Sequence, residues 1–218
     1  MSDFSTRRVT MVDTQVRPSD VTKFPVIAAM LHVPREEFVP AAAREAAYAG
    51  QNLTIAPGRV VLEPRSLAKL LDGLDIQPDE SVLVVGAGLG YGAALVSQLA
   101  GSVVAVEEDA HLAAEAARRL GGLDRGARVE LTIGALAMGA PERAPYDVIL
   151  VEGGVEEVPD ALIAQLAEGG RIGAIFMTGE LGVARIGHKR DGAVSWRFAF
   201  NATAPVLPGF AARKSFAL

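Results

Sequence analysis

From residue 81 onward, short apolar runs alternate regularly with segments of helical periodicity, and this alternation constrains the fold more than any other feature. The runs VLVV and VILV are continuously apolar, which is typical of parallel strands that are covered on both faces. We predict strands at 81–86, 102–107, 128–133, 146–152 and 170–177, and helices at 91–100, 110–120 and 159–168. The pattern therefore predicts an α/β fold with a doubly wound, mostly parallel sheet.

The flanking segments differ from this core. Residues 20–50 carry apolar side chains at helical spacing, and Ser66 to Leu74 predicts an amphipathic helix. Residues 51–64 contain Pro57-Gly58 and lack a helical period, so we predict a loop there, with at most a short strand. Near the end, VARIGHKR and VSWRFAF flank Asp191-Gly192, a strong hairpin signal that predicts an antiparallel pair.

Length and charge limit the alternatives. The chain has 218 residues, which suits one domain. We divide it into an N-terminal helical extension with a substrate-side loop (1–65), a core (66–178) and a C-terminal hairpin and tail (179–218). The net charge of −5 argues against nucleic-acid binding. The chain has no cysteine, and its three histidines are far apart, so we expect no metal site.

The uncharged stretch from Val82 to Val106 resembles a membrane span in length. Its glycines would each cost a helix about 1 kcal/mol relative to alanine, and its ends are strand-like, so a buried β-α-β unit explains it better. The N-terminus lacks the apolar segment of a signal peptide. We therefore expect a cytoplasmic protein without a membrane segment, either a monomer or a small homo-oligomer.

The most informative motif is VVGAGLGYG at residues 84–92, where glycines follow a strand at every second position. A phosphate-binding P-loop would need a following Lys-Ser/Thr, and a dinucleotide fingerprint would need glycine where Tyr91 or Ala93 stands. The remaining pattern is G-x-G-x-G, at Gly86, Gly88 and Gly90. Glu107 ends the next strand, 21 residues after Gly86, where an acid accepts hydrogen bonds from ribose hydroxyls. The combination suits S-adenosylmethionine (SAM); the alternative is a tight turn whose glycines serve packing only.

Beyond these motifs, the chain resembles bacterial protein-L-isoaspartate O-methyltransferases. The resemblance rests on residues 11–50, on VLVVGAGLGYGAALVSQLAGSVVAVEED and on 144–172. It implies a class I methyltransferase fold, Rossmann-like, with a seven-stranded sheet. It also implies SAM as cofactor and, as partner, a protein or peptide with a free carboxylate, which is methylated on the α-carboxyl of an isoaspartyl residue. That carboxylate is already ionised at pH 7, so no general base is needed.

The sequence departs from this family in the loop before the helix. The family pattern G-Q-T-I-S-Q-P is GRVVLEP here, from Gly58 to Pro64. The family's active-site serine position is Leu62, and the following glutamine position is Glu63. We predict poor turnover if these side chains face the substrate carboxylate. The alternative is that Glu63 points to solvent and Arg59 or Arg65 contacts the carboxylate.

Further departures fall on the cofactor side. Val84 replaces the acidic residue before the first glycine, and Ala135 replaces the family's aspartate in G-D-G. Glu152 stands where the family often has threonine, and it either faces the cofactor or is solvated at the strand end. These changes favour a second hypothesis, that the chain is a non-catalytic interaction module with weak or no SAM binding, or a methyltransferase for another acceptor. The predicted cofactor-binding residues are Gly86, Ala87, Gly88, Gly90, Glu107, Glu108, Gly134, Ala135, Leu136 and Glu152.

Overall fold

The computed structural model describes residues 3–123 and 129–212. The strands are β1 (Leu53–Ala56), β2 (Arg59–Val61), β3 (Ser81–Val85), β4 (Ser102–Glu107), β5 (Val129–Ile133), β6 (Tyr146–Val155), β7 (Leu166–Thr178), β8 (Leu181–Arg190) and β9 (Ala193–Asn201). The helices are α1 (Phe4–Met11), α2 (Phe24–His32), α3 (Pro64–Leu74), α4 (Tyr91–Val96), α5 (Ala110–Gly121) and α6 (Asp160–Gln165).

Seven strands form one sheet in the order β5-β4-β3-β6-β7-β8-β9, which confirms the predicted doubly wound fold. The strands from β5 to β7 are parallel. The chain runs outward from β3 through β4 to β5, and then crosses to β6 on the other side of β3. Ligands of open α/β sheets bind at such a reversal, outside the carboxyl ends of the strands. The glycine loop after β3 and Glu152 in β6 both lie at this point.

At one edge of the sheet, β8 runs antiparallel to β7, and β9 runs antiparallel to β8. The predicted turn at Asp191-Gly192 joins β8 to β9, and both turn residues have positive φ, at 52° and 77°. This confirms the predicted antiparallel pair. The pairing of β7 with β8 is also antiparallel, which the sequence pattern did not predict. The connection there is short, with Thr178 opposite Leu181, so β8 folds directly back along β7.

The N-terminal extension packs on the core, and it consists of several short helices. After α2 the chain makes two short 3-10 helices, Arg35–Phe38 and Ala41–Ala46, because Pro34 and Pro40 interrupt the α-helical hydrogen bonds. Met11, Met30 and Phe38 are buried. Among the described residues, no helix is long and apolar enough to cross a membrane, and no group of acidic or histidine side chains is arranged to hold a metal.

Residues 53–61 form a hairpin instead of the loop that we predicted. β1 pairs with β2 in a separate two-stranded sheet, with Leu53 opposite Val61. β-branched residues lie on both sides of the turn at Pro57-Gly58. Gly58 has φ of 68°, and a Cβ placed on it would have no heavy atom within 4 Å. The base of the hairpin is buried through Leu53 and Val61, and Arg59, next to the tip, reaches Glu107 at the carboxyl end of β4.

Candidate active site

The glycine loop is a tight turn between β3 and α4. The N–H groups of Gly86 and Ala87 both donate to the Val106 carbonyl, at 3.0 and 3.1 Å. Gly86, Gly88 and Gly90 all have positive φ, at 83°, 57° and 95°, a conformation that side chains with a Cβ adopt at a cost. A Cβ on Gly90 would lie 3.2 Å from Leu120 of α5. Backbone conformation therefore requires these glycines, whether or not a ligand is bound.

Glu107 is fully buried at the end of β4, beside this loop. Its carboxylate accepts two hydrogen bonds of 2.6 Å from the Arg59 guanidinium. It also accepts one from the Gly88 N–H at 2.7 Å and one from the Asp109 N–H at 3.1 Å. An ionised carboxylate offers about four acceptor positions, so all of them are used. Arg59, carried by β2, therefore makes the contact that we predicted for ribose hydroxyls.

Apolar side chains from two other segments cover the loop. A Cβ on Gly88 would lie 2.8 Å from Cδ1 of Ile55, which belongs to β1. A Cβ on Gly86 would lie 3.1 Å from Cδ1 of Leu207, and one on Gly153 would lie 2.5 Å from Cγ of the same leucine. The close backbone approach that the glycines permit is therefore made by the chain's own side chains.

Glu152 is buried and lies against the start of α4. A Cβ on Gly92 would be only 2.0 Å from its Oε1, an atom that has no hydrogen-bond partner in the described part of the chain. This excludes the solvated alternative for Glu152. Burial raises the pKa of this carboxyl from 4.5 to about 8; Glu107 adds to the rise, and the positive charges of Arg59 and Arg35 oppose it.

Replacement of Glu152 by glutamine is expected to change how folding depends on pH. The folded protein holds the Glu152 proton more tightly than the unfolded chain, so the wild type loses stability as pH rises from about 5 to about 8. Glutamine does not ionise. The free energy of unfolding of the variant should rise by on the order of 2–4 kcal/mol relative to that of wild type across this window. Above about pH 8 the difference should not grow further. Urea unfolding at pH 5, 6.5 and 8 measures the difference.

The matched control is Glu157→Gln, because Glu157 is exposed and lies in the connection between β6 and α6. The pH profile of Glu152→Gln should differ from that of this control. If the free energy of unfolding depended on pH in the same way for Glu152→Gln and for wild type, the assignment of a buried, neutral Glu152 would be contradicted.

The other predicted cofactor residues are near this centre but differ in exposure. The N–H of Gly134 donates to the Glu107 carbonyl at 3.1 Å, which brings the end of β5 beside the end of β4. Ala135 is exposed and Glu108 is half-buried, whereas Leu136 is fully buried in the core. Ala87 is buried within the glycine loop. The structure therefore brings the predicted set to one edge of the sheet, with Leu136 facing inward.

The three predicted catalytic residues do not lie together in one site. Leu62 is fully buried among the core side chains, and its carbonyl accepts a hydrogen bond from Arg35 at 2.8 Å. The Glu63 carboxylate accepts from the Ser66 hydroxyl at 2.6 Å and borders an open groove of about 710 Å³, lined also by Asn52, Leu181 and Thr203. Arg59 points away from this groove and onto Glu107. Only Glu63 of the three therefore borders the groove.

Sequence reasoning missed Arg35, a fully buried cation beneath the site. Its Nε donates to the Ala47 carbonyl at 2.7 Å, and its guanidinium lies 4.8 Å from the centre of the Tyr91 ring. Burial lowers the pKa of Arg35 and raises that of Tyr91. The signal was weak, since VPREEF reads as an ordinary amphipathic turn in which the arginine faces solvent.

A parallel sheet reversing at a glycine loop, followed by an acid on the next strand, defines a class I methyltransferase fold. Two solved structures named as protein-L-isoaspartate O-methyltransferases share it. One has a TM-score of 0.78 and 25% identity, over 94% of this chain and 66% of that chain. The other, from Plasmodium falciparum in complex with S-adenosyl-L-homocysteine, has a TM-score of 0.79 and 17% identity, over 95% of this chain and 99% of that one.

Residues 7–198 match the family "Protein-L-isoaspartate(D-aspartate) O-methyltransferase (PCMT)", and this chain belongs to that family. A relative from Koribacter versatilis named protein-L-isoaspartate O-methyltransferase is 40% identical over 172 residues, 79% of this chain and 77% of the relative. One from Methylorubrum populi with the same name is 40% identical over 165 residues, 76% and 77% of the two chains. The predicted resemblance is thereby confirmed.

The family uses SAM, and the residues of this chain fit that cofactor only in part. The glycine loop and Glu107 are present at the expected edge of the sheet. In the conformation of this structure, however, Glu107 has no free acceptor for a ribose, and Ile55 and Leu207 lie on the glycines. In this conformation the chain's own side chains occupy the cleft.

Proposed function

We propose that this chain is a SAM-dependent protein carboxyl methyltransferase that acts on isoaspartyl residues of damaged proteins. Family membership supports the reaction, and one observation at the site carries the proposal for this chain. The Gly88 N–H donates to the buried Glu107 carboxylate at 2.7 Å, which joins the glycine loop to the acid at the carboxyl ends of two adjacent parallel strands. Such an edge is where open α/β sheets bind nucleosides.

The acceptor side is the groove beside Glu63. It is open, and one wall comes from the tip of β8 and the end of β9, where Leu181 and Asn201 are exposed. An isoaspartyl carboxylate entering here is already ionised at neutral pH, so the site's task is to hold it and to exclude water rather than to remove a proton. Arg65 lies 3.7 Å from the Glu63 carboxylate, so the carboxylate that borders the groove is paired with a positive charge.

The partner in this proposal is a protein or peptide with a free carboxylate. Nucleic acid is disfavoured by the negative net charge. A cytoplasmic location, and a monomeric or small homo-oligomeric state, remain predictions.

A second candidate function is that of a non-catalytic interaction protein. The specific observation in its favour is that Arg59 uses the acceptor positions of Glu107 that a nucleoside would need. The two candidates differ in whether the wild-type protein transfers methyl groups at all.

Transfer of label from methyl-labelled SAM to an isoaspartyl peptide tests the proposal, with the same peptide containing normal aspartate as control. We expect incorporation into the isoaspartyl peptide at least about ten-fold above the control, a difference of about 1.4 kcal/mol in activation free energy. Incorporation into neither peptide at saturating SAM would contradict the proposal and favour the non-catalytic candidate.

A further inference from the structure

The hairpin β1–β2 occupies the cofactor cleft with two different kinds of contact. Arg59 makes a bidentate ion pair with Glu107, and the side chains of both residues are at least nine-tenths buried. Ile55 lies on Gly88, four residues before Arg59 and across the turn from it. The hairpin thus places an ion pair and an apolar contact side by side. Both lie on the glycine loop and Glu107, the residues predicted to bind the cofactor.

The hairpin is joined to the body of the protein by side-chain contacts rather than by strand pairing. Among the described strands, β1 and β2 pair with each other and with no strand of the main sheet. Such isolated two-stranded elements are marginal unless packing stabilises them. The base is held by buried Leu53 and Val61, and by the Asn52 side chain, which accepts from the Glu63 N–H at 2.8 Å. The tip residues Pro57 and Gly58 are exposed, so the tip is held through the residues beside it, by the Arg59 ion pair and by the packing of Ile55 and Val60.

We propose that Arg59 and Ile55 form an internal plug of the cofactor cleft, and that SAM binds only when the hairpin tip withdraws Arg59 from Glu107. Arg59 is then a residue that sets cofactor affinity rather than one that contacts substrate. This inference rests on the proposed function for the identity of the ligand. It differs from that proposal in what it predicts for binding.

The Glu107 carboxylate has no acceptor position left for a ligand while Arg59 is bound to it. Glu107 has about four acceptor positions and four donors: two from Arg59, one from the Gly88 N–H in the glycine loop and one from the Asp109 N–H directly before α5. Only the guanidinium can leave without unfolding the loop. A ligand that needs Glu107 therefore binds the open state alone, and its apparent dissociation constant is raised by the reciprocal of the open fraction.

Calorimetric titration with SAM tests this on wild type, Arg59→Gln and Arg118→Gln. Glutamine is the residue of the family pattern at the position of Arg59. Arg118→Gln removes the same charge from an exposed, surface-paired arginine of α5. We expect Arg59→Gln to bind SAM at least about ten-fold more tightly than wild type, and Arg118→Gln to match wild type. Equal affinity of all three proteins would overturn the plug, as would absence of binding in all three.

The outcomes separate this inference from the proposed function. If wild type methylates isoaspartyl peptides and Arg59→Gln binds SAM no more tightly, the plug is wrong and the function stands. If wild type neither binds nor transfers methyl groups but Arg59→Gln binds SAM, the plug is supported and the proposed activity of the natural chain fails.

Two further measurements apply if Arg59→Gln does not fold. Ile55→Ala leaves the ion pair intact and removes only the apolar cover, so it should tighten SAM binding by a smaller factor than Arg59→Gln. In wild type, hydrogen exchange of the peptide spanning 53–61 should become faster in the presence of SAM. Unchanged or slower exchange there would overturn the proposal.

Discussion

Replacement of Glu107 by glutamine is expected to lower the free energy of unfolding by about 3–5 kcal/mol, the usual cost of leaving a buried charge without its partner. Arg59 is only 6% exposed, and both of its described hydrogen bonds go to Glu107. Glutamine preserves the shape of the side chain but not its charge, so the guanidinium would remain buried and uncompensated. Urea unfolding monitored by circular dichroism measures the loss.

The double variant Glu107→Gln with Arg59→Met provides the control. It removes the buried cation together with its partner and replaces it by an apolar side chain of similar length, a change that is often neutral. We therefore expect the double variant to recover most of the stability lost in Glu107→Gln. A single-variant loss below about 1 kcal/mol would show that the pair is open to solvent most of the time.

Truncation of Arg35 to alanine is expected to have a similarly large effect, about 3–5 kcal/mol, for a different reason. Arg35 is fully buried and donates to the carbonyls of Ala47 and Leu62, so truncation leaves both acceptors unpaired and opens a cavity under Tyr91. Thermal and urea unfolding both report the change. Because Leu62 directly precedes the position of Glu63 at the groove, we also expect weaker binding of acceptor peptides.

Arg44→Ala is the matched control for this variant. Arg44 lies in the neighbouring 3-10 helix, and its exposed side chain pairs with Glu37. Its removal should cost less than about 1 kcal/mol, the usual value for a surface ion pair. Equal losses for Arg35→Ala and Arg44→Ala would contradict the structural role assigned to Arg35.

The sheet, the glycine loop and Glu107 were predictable because their signals are local. Continuous apolar runs define buried strands, and a glycine run between a strand and a helix defines the turn. Asp191-Gly192 predicted the last hairpin for the same reason. The β7–β8 pairing was missed because Gly179 and Glu180 form a weaker turn signal than Asp-Gly does.

The state of the site was not predictable from the sequence. Arg59 and Glu107 are 48 residues apart, and nothing local indicates that they meet. The sequence of residues 51–64 predicts a loop because two strands of four and three residues leave almost no periodicity. The expectation that Leu62 faces the substrate likewise ignored burial, which depends on the packing of the extension against α3. Restoring serine at Leu62 would place a hydroxyl in that core.

The most direct test of the account is nuclear magnetic resonance of the Arg59 side chain, in protein labelled with ¹⁵N-arginine and with Arg59→Gln used to assign the signals. A guanidinium held by two hydrogen bonds in a buried ion pair should show resolved, slowly exchanging Nη–H resonances in the free protein. We expect these resonances to be present without SAM and to disappear when SAM saturates the protein, because Arg59 leaves Glu107. Resonances that persist unchanged at saturating SAM would contradict it.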